Sequence, residues 1–357
     1  MLLFDLLQIA LGNRESLSIA PSAKEWADIY KESERQAVTG ILLIGIDKLP
    51  AEQRPPQALL LQWIGVGQMI EQRNNVMDLR CRVLLEKLAG QGHRGSILKG
   101  QGISLLYNDG LRKLRQSGDI DVYVDCVLEK SLAFAKTMGR QDIEWDYKHL
   151  HLNLWEDTEV EMHYRVEALM NLSKNRKLQR WFKENEELIF RESNSLTTPT
   201  TEFNVFYILL HIYRHFLYEG IGLRQIVDYY FVLHKVHKSQ LMVRKYVEAV
   251  NEFGMEKFAK GLMWVMQEAL GMPCDWMLWA PGQKEGEYIL TQVMTGGNFG
   301  HHDKRLSNSG GKLGAIKAIL THNLHLLTHY PSDVVWAPVW IVWHKAWKIK
   351  TRVALNN

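Results

Sequence analysis

The octapeptide Ser117-Gly118-Asp119-Ile120-Asp121-Val122-Tyr123-Val124 limits what this chain can become more than any other stretch. Side chains alternate along a strand, so a strand here sets Asp119 and Asp121 on one face and Ile120, Val122 and Val124 on the other. Two adjacent carboxylates repel unless a cation lies between them or one keeps its proton. Magnesium suits such a pair, being a hard ion that takes oxygen ligands and retains water and phosphate in its shell. Two solvated acids at an exposed strand end have the same Asp-x-Asp spelling, so the neighbouring motifs decide between the readings.

A chain of 357 residues, 46% apolar and 23% charged, implies a soluble globular protein of two or three domains with room for a large core. A net charge of +3 without a basic block argues against nucleic acid and for small, partly anionic ligands. Cys81, Cys126 and Cys274 are odd in number and widely spaced, with no Cys-x-x-Cys, which fits a reducing, cytoplasmic setting. The start, Met1-Leu2-Leu3-Phe4-Asp5, has no basic leader, and no run of about 18 uncharged apolar residues occurs, so neither export nor a membrane span is expected.

Residues 1–92 read as helices. Ser22 with Glu25 three positions on is a capping box, and Trp26, Ile29 and Tyr30 then recur at helical spacing to about Gln36. Ile41 to Ile46 is a second run, stopped by Pro50, and a long helical pattern extends from about Gln57 to Leu88. At residue 95 the character changes. Ser96-Ile97-Leu98 fits a buried strand, and Lys99-Gly100-Gln101-Gly102 is a turn in which glycine lets backbone approach a phosphate. Asn108 to Gln116 reads as a polar loop whose Arg112, Lys113 and Arg115 can offset triphosphate charge or simply be solvated. A helix from about Leu128 to Met138 follows, and then a hairpin: Tyr147 to Leu154 and Glu159 to Tyr164 flank a turn at Glu156-Asp157-Thr158. Leu150, Leu152, Leu154, Val160 and Met162 share its buried face, and His149, His151, Glu161 and His163 the other. If the sheet brings Glu161 beside Asp119 and Asp121, three carboxylates converge, enough for two divalent ions. Three histidines raise zinc as an alternative, but the oxygen-rich set favours magnesium or manganese.

In order, Ile97-Leu98-Lys99-Gly100, Leu106 to Arg112, Gly118 to Val124 and Glu161-Met162-His163-Tyr164-Arg165 together resemble the uncharacterised nucleotidyltransferase family often found among bacterial surface-polysaccharide genes, a branch of the DNA polymerase beta-type superfamily. The resemblance implies a small mixed sheet that takes a nucleoside triphosphate. Asp119, Asp121 and Glu161 match the family's metal-binding and catalytic acids. Lys99 and Gly100 match its phosphate-facing turn, and Arg112, Arg115, Ser117, Gly118 and His163 are expected to contact the nucleotide. Gln101 stands where the superfamily turn has a second glycine or a serine, which shifts the expected phosphate contacts onto Lys99, Arg112 and Arg115.

From about Glu167 onward the pattern is helical again. His211 and His215 lie one turn apart without the intervening acid of a metalloprotease helix, so buried, hydrogen-bonded histidines are expected, and Arg224 with Asp228 reads as an i, i+4 ion pair. Thr295-Gly296-Gly297-Asn298-Phe299-Gly300-His301-His302-Asp303 reads as a surface loop whose Phe299 has the shape to stack on a base, and Ser307 to Lys312 as a linker. The end, Val334 to Lys350, mixes tryptophan with lysine. Peripheral membrane contact suits that composition; packing of the tryptophans on the helical part suits it better, since Pro338 interrupts the run.

The expectation is therefore an α+β protein: helical 1–92, a mixed-sheet nucleotidyltransferase core at 93–170, and a helical 171–357. It would move a nucleoside monophosphate from a triphosphate to a hydroxyl on a sugar, small molecule or protein, using Mg2+ or Mn2+. The alternative is a catalytically silent nucleotide-binding regulator or scaffold of the same fold. Neither base, acceptor nor oligomeric state is legible.

Overall fold

A computed structural model describes residues 1–138, 143–193, 196–298 and 326–356. In chain order, α1 (Leu2–Leu11), α2 (Ala23–Arg35), α3 (Thr39–Lys48) and α4 (Gln57–Ala89) lead to β1 (Gly95–Ile97). The short α5 (Gln101–Ser104) and α6 (Asp109–Leu114) precede β2 (Ile120–Val124), α7 (Leu128–Thr137) and the hairpin β3 (His149–Trp155) with β4 (Thr158–His163). Then come α8 (Leu172–Glu184), a small hairpin of β5 (Arg191–Ser193) and β6 (Leu196–Thr198), and five helices: α9 (Thr201–Tyr218), α10 (Leu223–Val236), α11 (Gln240–Glu252), α12 (Glu256–Leu270) and α13 (Gln283–Gly296). Near the end lie α14 (Pro331–Val334) and α15 (Trp336–Asn356). This is an α+β protein with a small mixed sheet among helices.

Local signals account for most of the element ends. Both arms of the Ser22–Glu25 capping box are made, and α2 stops with Gln36 as its C-cap while Trp26, Ile29 and Tyr30 are buried. Residues 108–116 are not a loop. Asn108 caps α6 by accepting from the Leu111 N–H, and Leu111 is buried beneath it, so an Asx cap and one apolar anchor outweigh the polar composition. Pro338 does not interrupt α15 either. It falls in the first turn, where its missing N–H has no helical partner to lose.

By contacts the chain divides into two compact units made of interleaved segments: residues 1–77, 103–117 and the described part of 201–307 in one, and 78–102, 118–200 and the described part of 308–357 in the other. This partition differs from the three consecutive segments expected from sequence. The 33 residues of α4 run through residue 77, and β1 reaches its sheet partner only after the chain has passed through α6.

The first unit is helical. Its α9 is buried along nearly its whole length, and Phe203, Phe206, Tyr207, Tyr213, Tyr229 and Phe258 are among its fully buried side chains. In the second unit the strand order is β1-β2-β4-β3: β2 lies antiparallel to β1 and parallel to β4, and β3 closes antiparallel on β4. All five β2 residues are buried. Leu150, Leu152, Val160 and Met162 line the apolar side of the hairpin, but Leu154 is only half-buried because the register shifts between Leu152 and Trp155. On α15, Trp340, Trp343 and Trp347 pack edge-on around Tyr147, and Trp347 also meets Trp145. The tryptophans do pack, but on Tyr147 and Trp145, which precede β3, where the sequence suggested the helical part, and Val342, Ile349 and Val353 on the same helix stay exposed.

Candidate active site

The parallel register of β2 and β4 pairs Asp121 with Glu161, and Tyr123 with His163. Asp119 precedes β2 by one residue, so the pleat returns it to the Asp121 side. Oxygens of Asp119, Asp121 and Glu161 lie within 4.8 Å of one another. Burial differs: Asp121 is 3% exposed, whereas Asp119 and Glu161 are partly open.

A lysine and a histidine stand among these acids. The Lys99 ammonium is 2.7 Å from Asp121 Oδ1. The fully buried His163 lies between the strands, with Nε2 3.0 Å from Asp121 Oδ1 and 3.3 Å from Glu161 Oε2. Burial works against charge on Asp121 and Glu161, but Lys99 and the His163 hydrogen bonds outweigh it, so both carboxyls titrate below their ordinary range. His163 moves up: burial disfavours its proton, and the hydrogen bonds to Asp121 and Glu161 more than restore it. Asp119 lacks equivalent support, and the charge of Asp121, followed by burial, pushes it up to about 6. Across the hairpin His149 faces His163, with Nδ1 3.3 Å from Glu161 Oε2; burial and then the charge of His163 lower its pKa to about 3.

The turn before the site is tight. Gly100 has φ +50, in the region that favours glycine, and a Cβ on Gly102 would stand 2.4 Å from the Ile97 carbonyl oxygen. Leu98 N–H donates to the Asp121 carbonyl, which ties this turn to β2. Ser117 and Gly118 lead into β2, and the Ser117 hydroxyl is buried without a hydrogen-bond partner.

The remaining sequence candidates are placed differently. Arg112 and Arg115 belong to the other unit. Arg115 is 3% exposed and forks onto Asp228, Nε and Nη2 each 2.7 Å from one carboxylate oxygen, while Tyr107 donates to the same group at 2.6 Å. Burial opposes the Arg115 charge, and Asp228 overcomes it and holds the guanidinium protonated. Arg115 is thus a buried structural cation where a phosphate contact was expected. Asp228 takes Arg115 and Tyr107 as partners, and Arg224 donates to the Gln116 carbonyl. His211 and His215 are buried, as expected. Of the glycine-rich stretch, Gly296 ends α13 and Gly297 caps it; Phe299 to Asp303, and Ser307 to Lys312, lie outside the described residues. Sequence reasoning missed the direct Lys99–Asp121 pair and the place of His149. Alternation set His149 on the acidic face, but only register reveals that it opposes His163.

The site thus lies on a four-stranded mixed sheet, with an acid pair at one strand and a third acid on its parallel neighbour. Residues 22–271 match the family described as "Uncharacterised nucleotidyltransferase", and the chain belongs to that family. Among solved structures, an antigenic nucleotidyltransferase-like protein from Paracoccidioides brasiliensis aligns with 13% identity and a TM-score of 0.32, over 56% of this chain and 95% of that one. A search of curated proteins finds no match. Among the described residues, no helix is long and apolar enough to cross a membrane.

Proposed function

We propose that this protein transfers a nucleoside monophosphate from a nucleoside triphosphate to a hydroxyl acceptor and releases pyrophosphate, with Asp119, Asp121 and Glu161 holding Mg2+ or Mn2+. The observation that carries this reading is the approach of the three carboxylates across the β2–β4 pair, with Asp119 raised to about 6 by the charge of Asp121 and by burial, which Lys99 only partly offsets. An all-oxygen set of this kind fits a hard divalent ion. When bound, such an ion would acidify the acceptor hydroxyl and stabilise the leaving oxygen.

The chain's own groups have separate tasks. In the reaction an acceptor oxygen bonds to the alpha phosphorus as the bond from that phosphorus to the bridging oxygen breaks, and the electron pair leaves on pyrophosphate. Lys99, held on Asp121 at rest, turns toward the phosphates as the site fills and spreads their charge. The Lys99-Gly100 turn offers close backbone approach. His163 keeps Asp121 and Glu161 ionised and aligned. Glu161, opposite Asp121 on β4, takes the acceptor's proton. The acceptor is a sugar, a small alcohol or a protein side chain.

Purified protein offered each nucleoside triphosphate with magnesium should release pyrophosphate or become labelled. Asp119→Asn combined with Asp121→Asn should abolish this. A second reading has one observation in its favour: Lys99 and His163 already engage two of the three acids, Asp121 and Glu161. In that reading the protein binds nucleotide without turning it over, and nucleotide affinity without pyrophosphate release against any acceptor would support it.

A further inference from the structure

The histidine side of the hairpin carries a donor set that nucleotidyl transfer uses only in part: Glu161 and His163 have tasks in it, and His149 has none. His149 and His163 oppose one another on β3 and β4, and Glu161 stands two residues from His163 on the same face. His149 Nδ1 and His163 Nε2 each lie 3.3 Å from the same oxygen, Glu161 Oε2. Bonds of about 2.0–2.1 Å at tetrahedral angles separate ligand atoms by roughly 3.3 Å, so these are the edges expected around a four-coordinate ion. His149 is 7% exposed, yet its Nδ1, though close to Glu161 Oε2, makes no aligned hydrogen bond: a buried imidazole nitrogen aimed at the cluster with its hydrogen-bonding capacity unused. Such an orphan calls for an explanation.

The far sides of both rings are also set as metal-binding histidines require. His163 Nδ1 faces the Arg165 carbonyl at 3.3 Å, and His149 Nε2 faces the Asp146 carboxylate at 3.7 Å. Asp146 is itself anchored by the backbone N–H groups of Lys148 and His149. The carbonyl behind His163 favours the tautomer that turns its other nitrogen toward the metal, and the carboxylate behind His149 stands just beyond hydrogen-bond length on the corresponding side.

We infer that His149 Nδ1, His163 Nε2 and Glu161 form a second cation site, sharing Glu161 with the all-oxygen set, which takes a borderline divalent transition-metal ion, with Zn2+ the best match. Two imidazoles and one carboxylate suit zinc and discriminate against magnesium, and three protein ligands leave a fourth position open. Occupancy displaces the contacts of His163 Nε2 with Asp121 and of His149 with Glu161. It therefore couples the site to the acid pair through Glu161.

The test is a zinc titration of chelator-stripped full-length protein, followed by X-ray absorption at the zinc edge. One zinc per chain should bind with micromolar or tighter affinity, with an absorption signature of two imidazoles and oxygen. His149→Ala should weaken binding by about 100-fold, whereas His151→Ala, whose ring pairs with Glu159, should leave it within about threefold. No stoichiometric binding, an oxygen-only shell, or loss on His151→Ala with retention on His149→Ala would overturn the inference. The absorption measurement needs no variant, so misfolding of His149→Ala does not blunt it. None of these readouts involves turnover, so their failure is separate from that of the transfer reaction.

Discussion

Arg115→Ala separates a structural cation from a phosphate ligand. The guanidinium is 4% exposed at the side chain and Asp228 11%, and two 2.7 Å hydrogen bonds join them. Truncating one member of a buried, forked pair leaves the other charged in a dry setting, which costs about 3–5 kcal/mol. Tyr107 still donates to Asp228 and is stacked on Phe231 at 3.9 Å, so the lower part of that range is expected. For a unit of roughly 200 residues, about 3 kcal/mol corresponds to a fall of around 6–12 °C in midpoint. Urea denaturation followed by tryptophan fluorescence reads this directly, since Trp26 and Trp63 are buried in the same unit. Arg115→Met with Asp228→Leu, which removes both charges and keeps the bulk, should recover most of the loss. Nucleotide affinity measured in the cold, where the variant stays folded, should change by less than about threefold. An unchanged urea midpoint with lost nucleotide binding would refute the reasoning and return Arg115 to the phosphate role.

Three further outcomes follow from the geometry. Asp119 titrates near 6 in the folded chain against 3.8 unfolded, so stability tied to its proton is full below about pH 4 and is lost as pH rises through about 6. Asp119→Asn should therefore stabilise the metal-free protein near pH 8 by about 1–3 kcal/mol, converging with wild type below about pH 4; paired denaturation curves at the two pH values check it, and an equal effect at both would contradict it. Gly102→Ala pushes a Cβ to 2.4 Å from the Ile97 carbonyl oxygen, so it should cost about 1–3 kcal/mol by overpacking and depress nucleotide binding, measurable by calorimetry. Trp347→Ala removes rings stacked edge-on against Trp145 and Tyr147 and should lower stability by about 1–3 kcal/mol while leaving vesicle co-sedimentation unchanged; the reverse pattern would make α15 a membrane-contact helix.

What was legible in the sequence was local. The Ser22–Glu25 box, the Pro50 stop, the β3–β4 hairpin and the Asp119/Asp121 alternation each depend on residues within a few positions of one another, where capping and pleat geometry apply. The arrival of Glu161 opposite Asp121 was within reach because an acid on the polar face of a hairpin has only one side of the sheet to occupy. The Arg115–Asp228 pair was not legible for the opposite reason. Arg115 has its partner 113 residues away, and a cationic loop composition gives no sign that a carboxylate from α10 neutralises it. The interleaving of the two units is hidden in the same way, since α4 shows no break at residue 77 and units are defined by contacts between distant segments.

The central claim is that Asp119, Asp121 and Glu161 together hold a divalent ion against a nucleotide. Crystals soaked with manganese and a non-hydrolysable nucleoside triphosphate test it most directly. The account predicts an anomalous manganese peak bounded by those three carboxylates, with the Lys99 ammonium moved off Asp121 and onto a phosphate oxygen. Bound nucleotide with no manganese at the acids, and Lys99 still 2.7 Å from Asp121, would contradict it.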